Sequence, residues 1–210
     1  MNTGKYIVIE GGDGTGKSTQ IELLTVWLRE SGIDCIVIEE PGGAPMAEAI
    51  RLLLKDKTIE RDPKTNVLLF TAARVELEKT FEKLQHGTWI VSSRSYLSTI
   101  AYQGYGEGVD LAKIQSTTES WLPECYLKPD IEIVLSLADT RVNERRLKER
   151  DAAAAQADTF ESKGLDFADR VQCGYDELGK QNSRHLVDAS QSIEAIAEEI
   201  QALVATLLNN

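Results

Sequence analysis

The chain has 210 residues, 42% of them hydrophobic and 27% charged, the balance of a globular α/β domain large enough to bury a substantial core. Its formal net charge of −11 argues against a DNA- or RNA-binding surface, which needs positive potential. Three scattered cysteines, Cys35, Cys125 and Cys173, fit a reducing cytoplasm better than disulfides or zinc, and no run approaches the roughly 18 apolar residues of a membrane span.

In chain order, the first apolar run, Tyr6–Ile9, predicts a strand. It leads straight into a glycine-rich loop, Gly11 to Thr19, so no signal peptide is expected. A helix over Gln20–Arg29 follows, with Gly32 placed to cap it. Next come a strand at Cys35–Ile38, a helix at Met46–Leu54, and a long helix at Thr65–Leu84 that Gly87 would cap. Then follow a strand at Trp89–Ser92, a helix at Leu111–Trp121, a strand at Ile131–Leu137 and a helix at Thr140–Arg150. Asp151–Ala157 is an alanine-rich patch that suits either a helix continuation or a mobile lid. Helix Phe167–Leu178, strand His185–Val187 and helix Ile193–Leu208 complete the chain. His86 and His185 lie far apart without metal-ligand spacing and read as structural. The alternation predicts one α/β domain over 1–210, with five parallel strands doubly wound by helices. Ligands belong at the carboxyl ends of such strands, where Gly11–Ser18, Glu39–Gly43 and Ser93–Ser95 fall.

The loop has the spacing G-x-x-x-x-G-K-[ST] between a strand and a helix, the phosphate-loop signature of a nucleoside triphosphate site. Gly11, Gly14 and Gly16 let the backbone N–H groups of Gly12, Asp13 and Thr15 curl toward phosphate oxygens. Lys17 brings a compact positive charge, the Ser18 hydroxyl can ligate Mg²⁺, and the helix N-terminus at Thr19 adds its dipole. ATP binding on Gly11–Thr19 is therefore the first expectation.

Beyond the loop, Glu40-Pro41-Gly42-Gly43, Leu69-Phe70-x-x-x-Arg74 and Ser98-x-x-Ala101-Tyr102-Gln103-Gly104 occur in an order that resembles the thymidylate kinases of the bacterial type, from about Lys5 to the last helix. That resemblance implies a P-loop fold of the nucleoside monophosphate kinase kind, a homodimer, and Mg²⁺-dependent transfer from ATP to dTMP. It implies that Phe70 stacks on thymine and Arg74 donates to a thymine carbonyl. Ser98, Thr99 and Gln103 would also bind substrate, with Thr99 contacting the base. Tyr102 would crowd the sugar 2′ carbon, and Asp13 would meet the region of the acceptor's 3′-hydroxyl. Arg94 would hold the acceptor phosphate, where a planar guanidinium suits bidentate contact. Lid arginines, here Arg145 and Arg150 in a lid over about 145–162, would close on the donor phosphates. Several of these residues have plain structural readings too: Phe70 as a core aromatic, Tyr102 as a rim tyrosine, Asp13 as a turn residue, and the basic helix as a solvated face with Glu144 and Lys148 paired at i,i+4.

Three positions depart from the family pattern. Glu39 stands where an arginine usually precedes E-P-G-G, and Ser93 where an aspartate usually steadies the magnesium hydration shell. Thr159 stands where the lid's D-R-x-E has arginine. A carboxylate about 4 Å from a phosphate is repelled by roughly 1–4 kcal/mol per unit charge, so Glu39 should turn away, pair with a base, or meet another ligand. Phosphorylation of dTMP is the leading expectation. A kinase for another or modified deoxynucleoside monophosphate and a weakly active nucleotide-binding regulator are the alternatives. A GTPase switch is disfavoured because no N-K-x-D motif occurs.

Overall fold

The structure is a computed structural model that describes residues 3–137, 160, 163–181 and 184–209. Five strands form one parallel sheet in the order β2-β3-β1-β4-β5: β1 Tyr6–Gly11, β2 Cys35–Glu39, β3 Trp89–Ser93, β4 Ile131–Ser136 and β5 Arg184–Asp188. All five lie where the apolar runs place them, each extended by one or two residues or trimmed by one. β1 and β3 are buried along their whole length, as expected of inner strands of a parallel sheet covered on both faces.

Side-chain alternation divides the core in two. Ile7 and Ile9 of β1 face helix α1 (Lys17–Glu30) and the C-terminal helix α9 (Ile193–Ala205), packing with Leu24, Leu28, Ile196 and Ile200. Tyr6 and Val8 face the other way, onto Leu77, Phe81 and Tyr126. Val134 of β4 meets Leu97, Ala101, Tyr102, Val171 and Tyr175 on that second face. The helices there are α2 (Pro45–Lys55), α3 (Pro63–Val75), α4 (Glu78–Phe81), α5 (Tyr96–Thr99), α6 (Leu111–Trp121), α7 (Glu124–Leu127) and α8 (Leu165–Gly179). Helices on both faces make the sheet doubly wound.

One sequence expectation needs correction, and one element was not expected. The long helix at Thr65–Leu84 is three pieces. α3 starts earlier, at Pro63, where Asp62 caps it by accepting from Lys64 N at 2.8 Å. It stops at Val75, because Leu77 N bonds back to Arg74 O at 3.0 Å, a three-residue span that tightens the last turn. α4 and a 3₁₀ turn, Glu82–His86, then lead to Gly87, which caps at φ 85° as expected. The element that was not expected is α5 with the π-helical turn Ile100–Gly106 that continues it. Gly104 and Gly106 argue against a helix on propensity, yet the packing requires them. A Cβ on Gly104 would lie 2.3 Å from Leu111 Cδ2, and one on Gly106 2.5 Å from Phe167 Cε2. π-turns recur at functional sites, and this one carries Tyr102 and Gln103. The expected helix Thr140–Arg150 and the patch Asp151–Ala157 lie outside the described residues.

Candidate active site

β1 ends at Gly11 and the chain turns through Gly12–Gly16 into α1. Gly11, Gly14 and Gly16 all have positive φ (145°, 79° and 93°). At Gly11 a side chain is also excluded by space, since a Cβ would sit 2.6 Å from Leu135 O. Thr15 Oγ1 donates to Gly12 O at 2.8 Å and locks the curl. Lys17 Nζ donates to Gly11 O at 2.9 Å and Gly12 O at 2.8 Å, which holds its ammonium across the loop. Ser18 and Thr19 follow on the exposed first turn of α1. Loop, lysine and helix N-terminus thus stand together at the end of β1, an arrangement of backbone N–H groups and positive charge suited to an anion.

A pocket opens beside the loop on the second face of the sheet. Asp13, Arg94, Ser98, Thr99, Tyr102 and Gln103 line it, together with Phe70 of α3. Eight of the expected site residues therefore surround one pocket or border it directly, counting Arg74 beneath. Arg94 is the hinge of the arrangement. It follows β3 at φ 78°, a conformation costing about 1 kcal/mol or more outside glycine. Its N–H donates to Ile9 O at 3.1 Å, and its carbonyl accepts from Ser92 Oγ at 2.8 Å. The guanidinium pairs with Asp13 Oδ1 and donates to Ser98 Oγ at 3.1 Å and Tyr175 Oη at 3.2 Å. Burial works against its charge, but Tyr102, Asp13 and Tyr175 outweigh it and keep the pKa well above the ordinary arginine value. Tyr102 Oη donates to Asp13 Oδ2 at 2.5 Å. Burial pushes the pKa of that hydroxyl up, so it remains a donor.

Arg74 does not itself line the pocket. It lies buried beneath, with its Cζ 5.7 Å from the Phe70 ring centre. Nε donates to Glu40 Oε2, one terminal nitrogen to Thr99 Oγ1 and the other to Ser95 O, each at 2.7 Å. Arg74 thereby positions Thr99, whatever it does for a base. Glu40 in turn accepts from Tyr126 Oη at 2.7 Å, so each oxygen of this buried carboxylate has a partner.

Sequence reasoning missed four residues here. Glu10 accepts five hydrogen bonds at 2.6–3.1 Å, from the N–H and hydroxyl of Ser95, the N–H and hydroxyl of Ser98, and Tyr175 Oη. It is fully buried and fixes the turn from β3 into α5. The available signal was an acid at the end of an apolar strand run, Tyr-Ile-Val-Ile-Glu. Tyr175 comes from α8, and nothing local marks it. Lys55 at the end of α2 and Phe160 also line the pocket. Phe160 lies 6.0 Å from the Phe70 ring and 5.9 Å from Tyr102.

Of the three departures, Glu39 pairs with a base: Arg51 of α2 meets its Oε1 at 2.6 Å, and the same guanidinium donates to Pro41 O at 3.1 Å. Ser93 sits beside Glu39 in the sheet, the two being register partners. Arg145, Arg150 and Thr159 lie outside the described residues, with most of the expected lid. Among the described residues no helix is long and apolar enough to cross a membrane, and no group of three or more His, Cys, Asp or Glu side chains is arranged to hold a metal.

A family model described as thymidylate kinase matches residues 9–200. The matched span runs from β1 into α9 and contains the loop, the pocket, Glu10 and Glu40. A match over most of the chain, on a sheet and site of the kind the motifs imply, means that this chain belongs to the thymidylate kinase family, nucleoside monophosphate kinases that phosphorylate dTMP to dTDP with ATP.

Proposed function

We propose that ATP lies along Gly11–Thr19 and dTMP in the adjoining pocket, with the two phosphate ends meeting at Arg94. The observation that carries this reading is the Asp13–Arg94–Tyr102 junction, which ties the phosphate loop to the pocket through direct side-chain bonds. Thymine stacks on Phe70, Thr99 and Gln103 face its polar edge, and Tyr102 stands against the sugar, favouring deoxyribose.

The chemistry follows from charge. An oxygen of the acceptor phosphate attacks the terminal phosphorus of ATP, that bond forms as the bond to ADP breaks, and no proton has to move because the acceptor oxygen is already ionised. No general base is needed. Catalysis is then positioning plus charge stabilisation: Lys17 at the donor phosphates and Arg94 between donor and acceptor, with Arg145 and Arg150 as the lid candidates. Mg²⁺ fits the oxygen donors at the loop, since the Ser18 and Ser93 side chains line one cavity and hard cations take oxygen ligands. When bound it neutralises charge on the transferring phosphate.

The chain acts in this reading as one domain with a lid at about 145–162, in the cytoplasm, as a homodimer. Exposed Leu52, Leu68 and Trp121 support the last point, because they lie on α2, α3 and α6, which pack in sequence against one another, and a second copy would cover them. A coupled ADP-release assay across a panel of monophosphates tests the acceptor assignment. Turnover highest with dTMP is the expected result. Silence with every acceptor, while ATP still binds in calorimetry, would instead favour a nucleotide-binding regulator.

A further inference from the structure

The lost acid at Ser93 and the gained acid at Glu39 are neighbours. β2 and β3 pair so that Glu39 stands level with Ser93 at their carboxyl ends. Along β3, Trp89 and Val91 pack on the α1 side of the sheet, as does Cys35 of β2. With side chains alternating along a strand, Ser93 and Glu39 point to that same side. Both line one cavity with Ser18, the first-turn hydroxyl of α1.

Phosphate-loop enzymes hold nucleotide-bound Mg²⁺ between the loop Ser or Thr and an acid at a neighbouring strand end. We propose that in this chain the acid has moved one strand outward, and that the Glu39 carboxylate steadies the hydration shell of the nucleotide-bound Mg²⁺ in place of an acid at position 93. The inference rests on the reading of Gly11–Thr19 as the ATP site.

Distances decide the mode. Adjacent strands lie about 4.8 Å apart, whereas glutamate exceeds aspartate by one methylene, roughly 1.5 Å. Glu39 therefore reaches the ion through bound water, with the Ser93 hydroxyl as a further polar partner for that water. Arg51 takes Oε1 and orients the carboxylate, and a carboxylate has a second oxygen to accept from water. Two other charged residues line the cavity, Glu22 and Arg29 of α1. At 1.5 Å per residue they lie about 6 Å and 16 Å along the helix from Ser18, away from the phosphate end.

The test is calorimetric and needs no turnover: the affinity for the non-hydrolysable analogue AMPPNP, measured with saturating Mg²⁺ and again in EDTA. Glu39→Gln should reduce the Mg²⁺-dependent gain in affinity about tenfold, the scale of losing a group that orients metal-bound water. Binding in EDTA should stay equal or tighten, because a negative charge has gone. Adding Ser93→Asp to Glu39→Gln should restore the gain. An unchanged gain in Glu39→Gln, an equal loss with and without Mg²⁺, or an equal effect from Glu22→Gln would overturn the inference while leaving the ATP site standing. Failure of the unmodified protein to bind AMPPNP under either condition would overturn both.

Discussion

The glycine-rich loop and the pocket beside it adjoin at the carboxyl ends of β1 and β3, yet they are built in opposite ways. In the loop the backbone is the binding surface: glycines at positive φ set its path, and Lys17 is held by the loop's own carbonyls. In the pocket side chains are the surface, and two buried carboxylates hold them in place. Glu10 fixes Ser95, Ser98 and Tyr175, while Glu40 fixes Arg74 and through it Thr99. Changes in the loop should therefore remove turnover with little effect on folding. Changes under the pocket should reach stability first and substrate binding through it.

The largest effect is expected at Lys17. Lys17→Met should lower kcat about 10²–10³-fold, the scale of losing one preorganised charge-stabilising donor, with thermal unfolding nearly unchanged. A large loss of stability would blur the contrast between the two regions. Next, Glu10→Ala leaves five donors without their acceptor in a closed interior. Urea denaturation should register about 3–5 kcal/mol, the cost of breaking a buried charged network by removing one partner. Arg74→Lys loses the fork that reaches Glu40, Thr99 and Ser95 together. It should cost about 2–3 kcal/mol of stability and raise the KM for dTMP by releasing Thr99.

These expectations also show where the sequence was readable. The loop announces itself because its function depends on residue types at fixed short spacing, and Gly11, Gly16, Lys17 and Ser18 sit where the pattern places them. The five strands were readable for a similar reason, being short apolar runs bounded by glycine or charge. Glu10 was not, since its five partners come from β3–α5 and α8, 85 to 165 residues away. The π-helical turn was hidden because Gly104 and Gly106 look like breakers until Leu111 and Phe167 pack against them. The break after Val75 was hidden because no glycine or proline marks it.

Two smaller predictions sharpen the contrast further. Phe70→Leu should raise the KM for dTMP about fivefold at near-constant kcat, since an aromatic contact is worth about 0.5–1.5 kcal/mol beyond area. Steady-state kinetics would show this, and an equal fall in kcat would mean that the ring also serves the transition state. Asp188, at the carboxyl end of β5 and two strands away from β1 in the sheet, should matter least. The Ser190 N–H and hydroxyl hold its carboxyl below its ordinary value of 3.8. With a depressed folded-state pKa, its contribution is present above 3.8 and is lost as pH falls through the folded value. Asp188→Asn should thus lower the melting temperature slightly at pH 7, and the difference should vanish in acid.

The central claim is that the loop and the pocket bind two nucleotides whose phosphate chains meet at Arg94. The most direct measurement is calorimetric binding of an adenosine–pentaphosphate–thymidine conjugate that spans both. The account predicts one conjugate per chain, bound more tightly than ATP or dTMP alone, displaced by either, and weakened by both Lys17→Met and Phe70→Leu. Binding no tighter than ATP and indifferent to Phe70 would contradict it.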